Sequence, residues 1–287
     1  MLRQGRNVGE LITKQTNETE IAKLMIGSGV SLADREDVTP GGTVLKIDQA
    51  AVNGYSKRDT LQDLSLEARA HEILGIAGVS GNGQTGLAGL IAGLKRPVTG
   101  SIAVDGQIIA RPSPKTMLKA GVGRIPEDRH QEGIIGTLSL ADNLVIEQLD
   151  DPAVQRFGIL RRTEIKAAAH QRCADYDVRG PGVGAEARLF SGGNIQKMIL
   201  ARVFEQNPKL ILANQPTRGL DMGASAEVRR RLLEARKRGA AVVLISEDLD
   251  EVLALSDRIL VMHDGQLTQA KTRDRATIGL LMAGTAT

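Results

Sequence analysis

The sequence predicts an α/β fold with a largely parallel core sheet. Apolar runs of strand length alternate along the chain with segments of helical periodicity, which is typical of this fold class. The dipeptides Asp105-Gly106 and Asp264-Gly265 each follow a strand-like run, and such dipeptides favour tight hairpin turns. We therefore expect a mixed core sheet in which some strands are antiparallel.

Length and composition indicate a globular protein. The 287 residues, 41% of them hydrophobic, suffice for one large domain with an extension or for two small domains. The net charge is +3, and no long run of one sign indicates a nucleic-acid-binding arm, so no nucleic-acid partner is expected. Cys173 is the single cysteine, which excludes an intrachain disulfide and favours a reducing compartment. Since no apolar run reaches the roughly 18 residues of a membrane span, we expect a soluble protein or one held at a membrane by partners.

The first motif is expected on a strand, loop and helix unit. Glu72–Val79 has the apolar character of a buried strand and runs into the glycine-rich segment Gly78–Gly83. Apolar residues then recur with helical spacing at Leu87, Leu90, Ile91 and Leu94. This pattern places a glycine-rich loop at the start of a helix.

The other elements follow in chain order. Ser101–Val104 and Gln107–Ala110 form the first predicted hairpin, and Arg258–His263 begins the second. Leu210–Ala213 and Ala241–Ile245 are short apolar strands separated by a helix, as in a right-handed parallel crossover. That helix carries apolar residues on one face, at Val228, Leu232 and Leu233.

Between these units, residues 139–189 have a helical pattern. Ser139 and Asp142 have the spacing of a capping pair at a helix start. We interpret this region as an inserted helical subdomain.

The two ends of the chain resemble each other. Ile21–Gly27 matches Ile278–Gly284, and each lies a similar distance after a turn glycine, Gly5 or Gly265. A chance match of one short apolar helix is the alternative. We interpret the match as a truncated duplication, in which residues 1–30 are the tail of a preceding copy and residues 31–42 are a linker.

The glycine-rich loop has the frame of a phosphate-binding loop. Its glycines let backbone N–H groups at a helix start face phosphate oxygens, and Thr85 is a candidate Mg²⁺ ligand. The usual lysine is replaced by Gln84, which removes a charge-assisted contact of roughly 1.5 to 3 kcal/mol. A glycine turn of purely structural purpose is the alternative. The candidate nucleotide contacts are Gly78, Ser80, Gly81, Asn82, Gly83, Gln84 and Thr85.

A second candidate anion site lies at Leu189–Lys197, where a serine and two glycines precede a helix. The apolar strand at Leu210 follows and ends in the polar segment Asn214–Asp221.

The ordered set of these motifs resembles the ATP-binding-cassette family over residues 43–287. Within that family, the motifs are similar to those of the second cassette of simple-sugar and nucleoside importers, and the glutamine before Pro216 favours the nucleoside branch. The motifs are Gly81-Asn-Gly-Gln84, Ile125-Pro-Glu-Asp-Arg129, Phe190-Ser-Gly-Gly-Asn-Ile-Gln-Lys197 and Gln215-Pro-Thr-Arg-Gly-Leu-Asp221. The resemblance implies a P-loop NTPase fold with a mixed core sheet, an antiparallel β subdomain and an inserted helical subdomain.

The resemblance also implies residue roles, and at the positions implied to be catalytic this sequence has other residue types. The metal-binding aspartate falls on Asn214, the general-base glutamate on Gln215 and the switch histidine on Glu247, while the glutamine that senses the γ-phosphate falls on Glu127. An amide neither accepts a proton from water usefully nor supplies negative charge for a metal. We therefore expect this site to be unable to hydrolyse ATP.

The elements that act on a partner cassette are retained. Asp221 keeps the character of the D-loop. Tyr55 is a separate candidate, for stacking on adenine, and a plain surface or core tyrosine is the alternative. The signature residues expected to act in trans are Ser191, Gly192, Gly193 and Asn194.

Two functions remain open at this point. The resemblance implies an energy-coupling component of an importer at the cytoplasmic face of the plasma membrane, with ATP and Mg²⁺ as cofactors. Its partners would be a first cassette, permease subunits and, indirectly, a substrate-binding protein. The alternative is a pseudo-ATPase with a structural or regulatory role, or a soluble cassette of the DNA-repair or translation type.

Overall fold

A computed structural model of the chain describes residues 2–3, 6–7, 10, 36, 38–56 and 59–285. Over these residues the fold is α/β, with a six-stranded mixed sheet, a four-stranded antiparallel sheet and helices packed around them. The predicted fold class is confirmed.

The strands are Leu2–Arg3 (β1), Arg6–Asn7 (β2), Thr43–Val52 (β3), Leu61–Arg69 (β4), Ile73–Ala77 (β5), Thr99–Val104 (β6), Gln107–Ile108 (β7), Val122–Ile125 (β8), Gln155–Arg156 (β9), Ile159–Leu160 (β10), Leu210–Asn214 (β11), Ala241–Ser246 (β12), Arg258–His263 (β13) and Gln266–Gln269 (β14). The α-helices are Gln84–Ile91 (α1), Pro114–Lys119 (α2), Leu140–Val145 (α3), Arg162–Asp175 (α4), Gly192–Phe204 (α5), Met222–Lys237 (α6), Leu249–Leu255 (α7) and Arg275–Met282 (α8).

The larger sheet has the strand order β14-β13-β5-β12-β11-β8. Its strands are parallel except for the edge strand β14, which is antiparallel to β13. Every residue of β5, β11 and β12 is buried, as expected for parallel strands covered on both faces. The predicted mixed core sheet is therefore confirmed, and the adjacent strands β11 and β12 are joined through α6.

The smaller sheet has the order β4-β3-β6-β7 and is antiparallel throughout. Both predicted hairpins form, because each Asp-Gly turn has positive φ at both residues, at 50° and 76° for the first and 49° and 78° for the second. The strand after the first turn ends at Ile108, two residues earlier than the sequence predicted.

The first helix is shorter than the apolar spacing predicted. Leu87, Leu90 and Ile91 are buried on one face, but α1 ends at Ile91 and Leu94 is 56% exposed beyond it. Gly93 has φ of 71°, the left-handed conformation that commonly ends helices. Leu94 therefore does not belong to the helix face that the sequence assigned to it.

The inserted region contains helices and a hairpin. Ser139 caps α3 by accepting a hydrogen bond of 3.0 Å from the backbone N–H of Asp142, as predicted. A short antiparallel hairpin, β9–β10, separates α3 from α4, so residues 139–189 are not purely helical. Helix α5 packs against α3 and α4 and links this region to the core sheet.

The end of the chain contains one member of the proposed internal repeat. Ile278 and Met282 of α8 are buried against the larger sheet, and this helix follows the β13–β14 hairpin. The matching segment Ile21–Gly27 and its turn residue Gly5 lie outside the described residues, as does part of the predicted linker. The duplication therefore stays a prediction. No helix within the described ranges has the length and apolar character to cross a bilayer.

Candidate functional site

The candidate site lies at the carboxyl edge of the larger sheet. The loops after β5, β8, β11 and β12 begin there, and they carry Gly78, Glu127, Gln215 and Glu247 respectively. Because parallel strands end at the same edge, residues far apart in sequence meet there, where ligands commonly bind in open α/β sheets.

The glycine-rich loop has the backbone shape of a phosphate loop. Gly81 and Gly83 have φ of 94° and 114°, values that side-chain-bearing residues rarely adopt. Gly83 is the N-cap of α1, and no side chain in the described part of the chain caps this helix. The first N–H groups of α1 are therefore free to face an external acceptor.

Gln84 folds back into the loop instead of extending from it. Its Nε2 donates to the carbonyl of Val79 at 2.8 Å, and its Oε1 accepts from the backbone N–H of Asn82 at 3.0 Å. A Cβ placed on Gly78 would lie 2.6 Å from Nε2, so only glycine leaves room for this conformation. Gln84 thus occupies one of the loop amides that a phosphate would use.

A cleft of about 830 Å³ opens beside the loop. Thr85 and Glu127 both line it, as does Arg218, which forms an ion pair with Glu127. The structure therefore brings Thr85 and Glu127 to the same cleft. Tyr55 is fully exposed and does not line the described walls of the cleft, whereas its neighbour Ser56 does. The adenine-stacking role of Tyr55 stays a prediction.

The walls of this cleft carry several carboxylates. Asp59 pairs with Lys95 at 2.9 Å, and Glu127 pairs with Arg218. The hydrogen bond from the backbone N–H of Gln131, with further backbone and charge contacts, holds the pKa of Asp128 below its usual value. Two of these three carboxylates are paired with cations, and Arg129 and Arg218 also line the cleft, so its walls carry charges of both signs.

Asn214 ends β11, and Gln215 is the next residue. Both side chains are buried, and Gln215 has φ of 49°. The Oε1 of Gln215 accepts from the backbone N–H of Glu247 at 3.3 Å, so these two predicted positions also meet. Among the described residues, no group of three His, Cys, Asp or Glu side chains could hold a metal ion. Thr85 alone does not fit the needs of a resident Mg²⁺.

Glu251 is a buried carboxylate on α7 that joins two segments of the site. It accepts hydrogen bonds of 2.8 Å from the hydroxyls of Thr217 and Ser246, and Arg229 lies 3.8 Å away. Burial raises the pKa of Glu251, and the two hydroxyl hydrogen bonds oppose that rise only in part. Glu251 therefore connects the turn after β11 to the end of β12.

Replacing Glu251 with Ala should lower the free energy of unfolding by about 2 to 4 kcal/mol near pH 5, because both hydroxyls lose their acceptor. Since the folded pKa lies above the ordinary value of 4.5, the native state holds the proton more tightly, and wild-type stability falls as the pH rises above that value. The variant lacks this titration, so the stability difference should shrink toward about pH 8. Urea titrations at both pH values measure it, and a difference that grows with pH would contradict the raised pKa.

The second candidate site is the start of α5. Ser191 is its N-cap residue but caps no backbone N–H with its side chain among the described residues, and its Oγ instead accepts from Asn194 Nδ2 at 2.9 Å. Asn194 Oδ1 accepts from the backbone N–H of Arg179 at 2.7 Å, which fixes the helix start against the inserted region. A Cβ on Gly193 would meet no atom within 4 Å, so this residue faces open space.

The retained residues lie together. Ser191, Gly193, Asn194 and Asp221 line a second hollow of about 440 Å³, whose described walls do not include Thr85 or Glu127. Asp221 caps α6 by accepting from the backbone N–H of Ala224 at 2.8 Å. The structure therefore groups the predicted signature and D-loop residues on a surface separate from the phosphate loop.

Sequence reasoning missed the contacts that join these two surfaces. Gln196 is buried, and its Nε2 donates to the carbonyl of Pro216 at 2.8 Å. Arg129 donates to the carbonyls of Arg218 and Gly219. Both residues stand inside the motifs, but their partners are 20 to 90 residues away, and no local pattern indicates such contacts.

Comparison with known proteins identifies related chains. A family model described as ABC transporter matches residues 61–218, which is more than half of the chain. The guanosine import ATP-binding protein NupO of Bacillus subtilis is 38% identical over 99% of this chain and 56% of its own length. The glucose import ATP-binding protein TsgD13 of Haloferax volcanii is 41% identical over 99% of this chain and 53% of its own. The chain spans about half the length of these curated relatives.

Solved cassettes share the fold. The dimeric cassette MJ0796, bound to ADP and phosphate after hydrolysis, is 20% identical with a TM-score of 0.67, covering 79% of this chain and 98% of that one. The cassette MJ1267 has a TM-score of 0.68 at 19% identity, covering 85% of this chain and 98% of its own. At these identities the likeness supports the fold alone.

Proposed function

The chain belongs to the ABC transporter family, and we propose that it is the ATP-binding component of an importer for nucleosides or simple sugars. We further propose that its own nucleotide site is degenerate, while its signature helix completes the site of a partner cassette. In this proposal it acts as import ATP-binding proteins such as NupO and TsgD13 do.

One observation carries this proposal, which is the separation of lost and retained residues. The carboxyl edge of the larger sheet carries Gln84, Gln215 and Glu247 at the positions where the family resemblance implies a lysine, a general-base glutamate and a switch histidine. The hollow at the start of α5 keeps Ser191 and Asp221 together. A cassette that contributes only to the nucleotide site of a partner requires the residues at the start of α5, but it does not require hydrolytic residues of its own.

The signature helix would act on a nucleotide held by the partner. Its uncapped N–H groups and the hydroxyl of Ser191 would face the γ-phosphate when the two cassettes close. Such fixed donors stabilise negative charge that develops during phosphoryl transfer. The open space around Gly193 leaves room for the phosphate to approach.

The degenerate site would bind ATP weakly. Thr85 and the N-terminus of α1 fit phosphate oxygens, but Gln84 already uses the N–H of Asn82. With the lysine missing, we expect a dissociation constant of roughly 0.1 to 1 mM. The cofactors of the assembled protein would be ATP and Mg²⁺, with hydrolysis at the partner site.

The proposed partners are a first cassette, permease subunits and, indirectly, a substrate-binding protein. A preceding cassette on the same polypeptide or a separate chain agrees with the doubled length of the relatives. A groove of about 810 Å³ between α2 and residues 146–151 exposes Leu94 and Leu149, which would give a permease segment an apolar surface to pack on. These contacts would place the chain peripherally at the cytoplasmic face of the plasma membrane.

The purified chain alone should hydrolyse ATP no faster than a buffer control, because Asn214 and Gln215 supply no general base or metal-binding charge. Addition of a first cassette that carries the usual lysine and glutamate should produce Mg²⁺-dependent turnover. A phosphate-release assay measures both. Turnover by the chain alone that is abolished by Thr85→Ala would refute the degenerate site. If no first cassette gained turnover on mixing with this chain, the alternative of a structural pseudo-ATPase would be favoured.

A further inference from the structure

Arg129 lies in a loop whose shape is fixed locally. It follows β8, and the carboxylate of Asp128 accepts hydrogen bonds of 2.9 Å from the backbone N–H groups of His130 and Gln131. The carbonyl of Asp128 also accepts from the backbone N–H of Glu132 at 2.9 Å. This tight turn directs the side chain of Arg129 away from its own strand.

The guanidinium of Arg129 holds the turn before α6. Nη1 donates to the carbonyl of Arg218 at 2.6 Å, and Nη2 donates to the carbonyl of Gly219 at 3.1 Å. A planar guanidinium presents donors at a fixed spacing, so it can hold two neighbouring carbonyls where an ammonium holds one point.

The same guanidinium packs against the start of α5. A Cβ on Gly192 would lie 3.2 Å from Nε and 3.3 Å from Nη2, and a Cβ on Gly219 would lie 3.3 Å from Nη2. Glycine at both positions therefore allows one side chain to fill the space between the signature helix and the D-loop turn.

Electrostatic stabilisation of α5 does not explain this placement. A cation at a helix N-terminus is opposed by the helix dipole. The carbonyls of Arg218 and Gly219 compensate the positive charge of Arg129. The contact therefore joins the turn before α6 to the start of α5, although the charge is unfavourable for α5.

We propose that Arg129 is a positioning residue, which sets the spacing between Ser191–Gly193 and Gly219–Asp221 as both are presented to a partner cassette. This inference rests on the proposed function of the signature helix. Gln196, on the same helix, donates to the carbonyl of Pro216, in the same turn before α6, in the buried layer beneath. Arg129 would provide the tie near the surface.

The test uses the assembled transporter that contains this cassette. Arg129→Ala should reduce kcat for ATP about tenfold and change the KM for ATP by less than about threefold. The partner cassette would still bind its nucleotide, but the signature helix would no longer be positioned to complete that site. Arg129→Lys should lie between Ala and wild type, since lysine reaches one carbonyl. Hydrogen exchange should also rise at the amides of residues 217–221 in the Ala variant.

Arg275→Ala is the matched control, because it removes an exposed arginine that pairs with Asp250 on another part of the fold. It should leave kcat and exchange at residues 217–221 unchanged. The positioning role is overturned if Arg129→Ala keeps its kcat, or if exchange at these residues rises no more than in the control. Should Gly192→Asp keep full ATPase activity, the proposed function itself fails; should Gly192→Asp lose it while Arg129→Ala does not, only the positioning role fails.

Discussion

Replacing Gly192 with Asp should reduce ATPase activity and solute uptake of the assembled transporter at least about tenfold, a barrier change of about 1.4 kcal/mol or more. Gly192 is the first residue of α5, where the partner's γ-phosphate is proposed to lie. A carboxylate there would repel the phosphate and block closure of the cassettes. ATPase and uptake assays in reconstituted vesicles measure both effects.

The fold should survive this substitution. The nearest atoms to a Cβ at Gly192 belong to the guanidinium of Arg129 and not to backbone, and a carboxylate in the first turn of a helix is favoured by the helix dipole. Gly279→Asp is the matched control, because Gly279 also lies within a helix and has open space around it. If Gly192→Asp left ATPase and uptake intact in a folded protein, the signature would not be completing a site.

Restoring the carboxylates should achieve little by itself. Asn214→Asp with Gln215→Glu would leave Gln84 in the phosphate loop and Glu247 at the switch position. We therefore expect the purified double variant to remain without measurable turnover.

Replacing Gln84 with Lys should tighten ATP binding by the purified chain about 10- to 100-fold, because it restores a charge-assisted phosphate contact. It also frees the N–H of Asn82, which Gln84 Oε1 now occupies. Titration calorimetry against ATP measures the change. Gln84→Ala separates the two effects, since it frees the N–H without adding charge, and it should change the affinity much less than Lys does.

Two results would contradict this account of the loop. Submicromolar binding by the wild-type chain would show that the loop compensates for the missing lysine. Equal tightening by Ala and Lys would show that the folded-back amide, rather than the lost charge, limits affinity.

The sequence predicted the elements with strong local signals. The buried strands at Ile73 and Leu210 and the two Asp-Gly hairpins follow from apolar runs and turn chemistry, and the structure contains them. Leu94 was placed wrongly because helical spacing continues past a glycine that ends the helix. The β9–β10 hairpin was missed because its turn is Phe157-Gly158, and phenylalanine is uncommon at positive φ.

The site was predictable in its residue types but not in its contacts. Motif spacing located Gln84, Gln215 and Ser191, yet the inward fold of Gln84 depends on the space left by Gly78. The burial of Glu251 depends on loops that only the folded sheet brings together. Such contacts are set by tertiary structure and have no signature in local composition.

The inward fold of Gln84 has an evolutionary consequence. Because its amide satisfies a donor and an acceptor of the loop, a glutamine in place of the lysine keeps these hydrogen bonds within the loop. Under the proposed function, we expect hydrolysis at this site to require changes at Gln84, Asn214, Gln215 and Glu247 together. Under the same proposal, an asymmetry between two cassettes would be easy to acquire and hard to reverse.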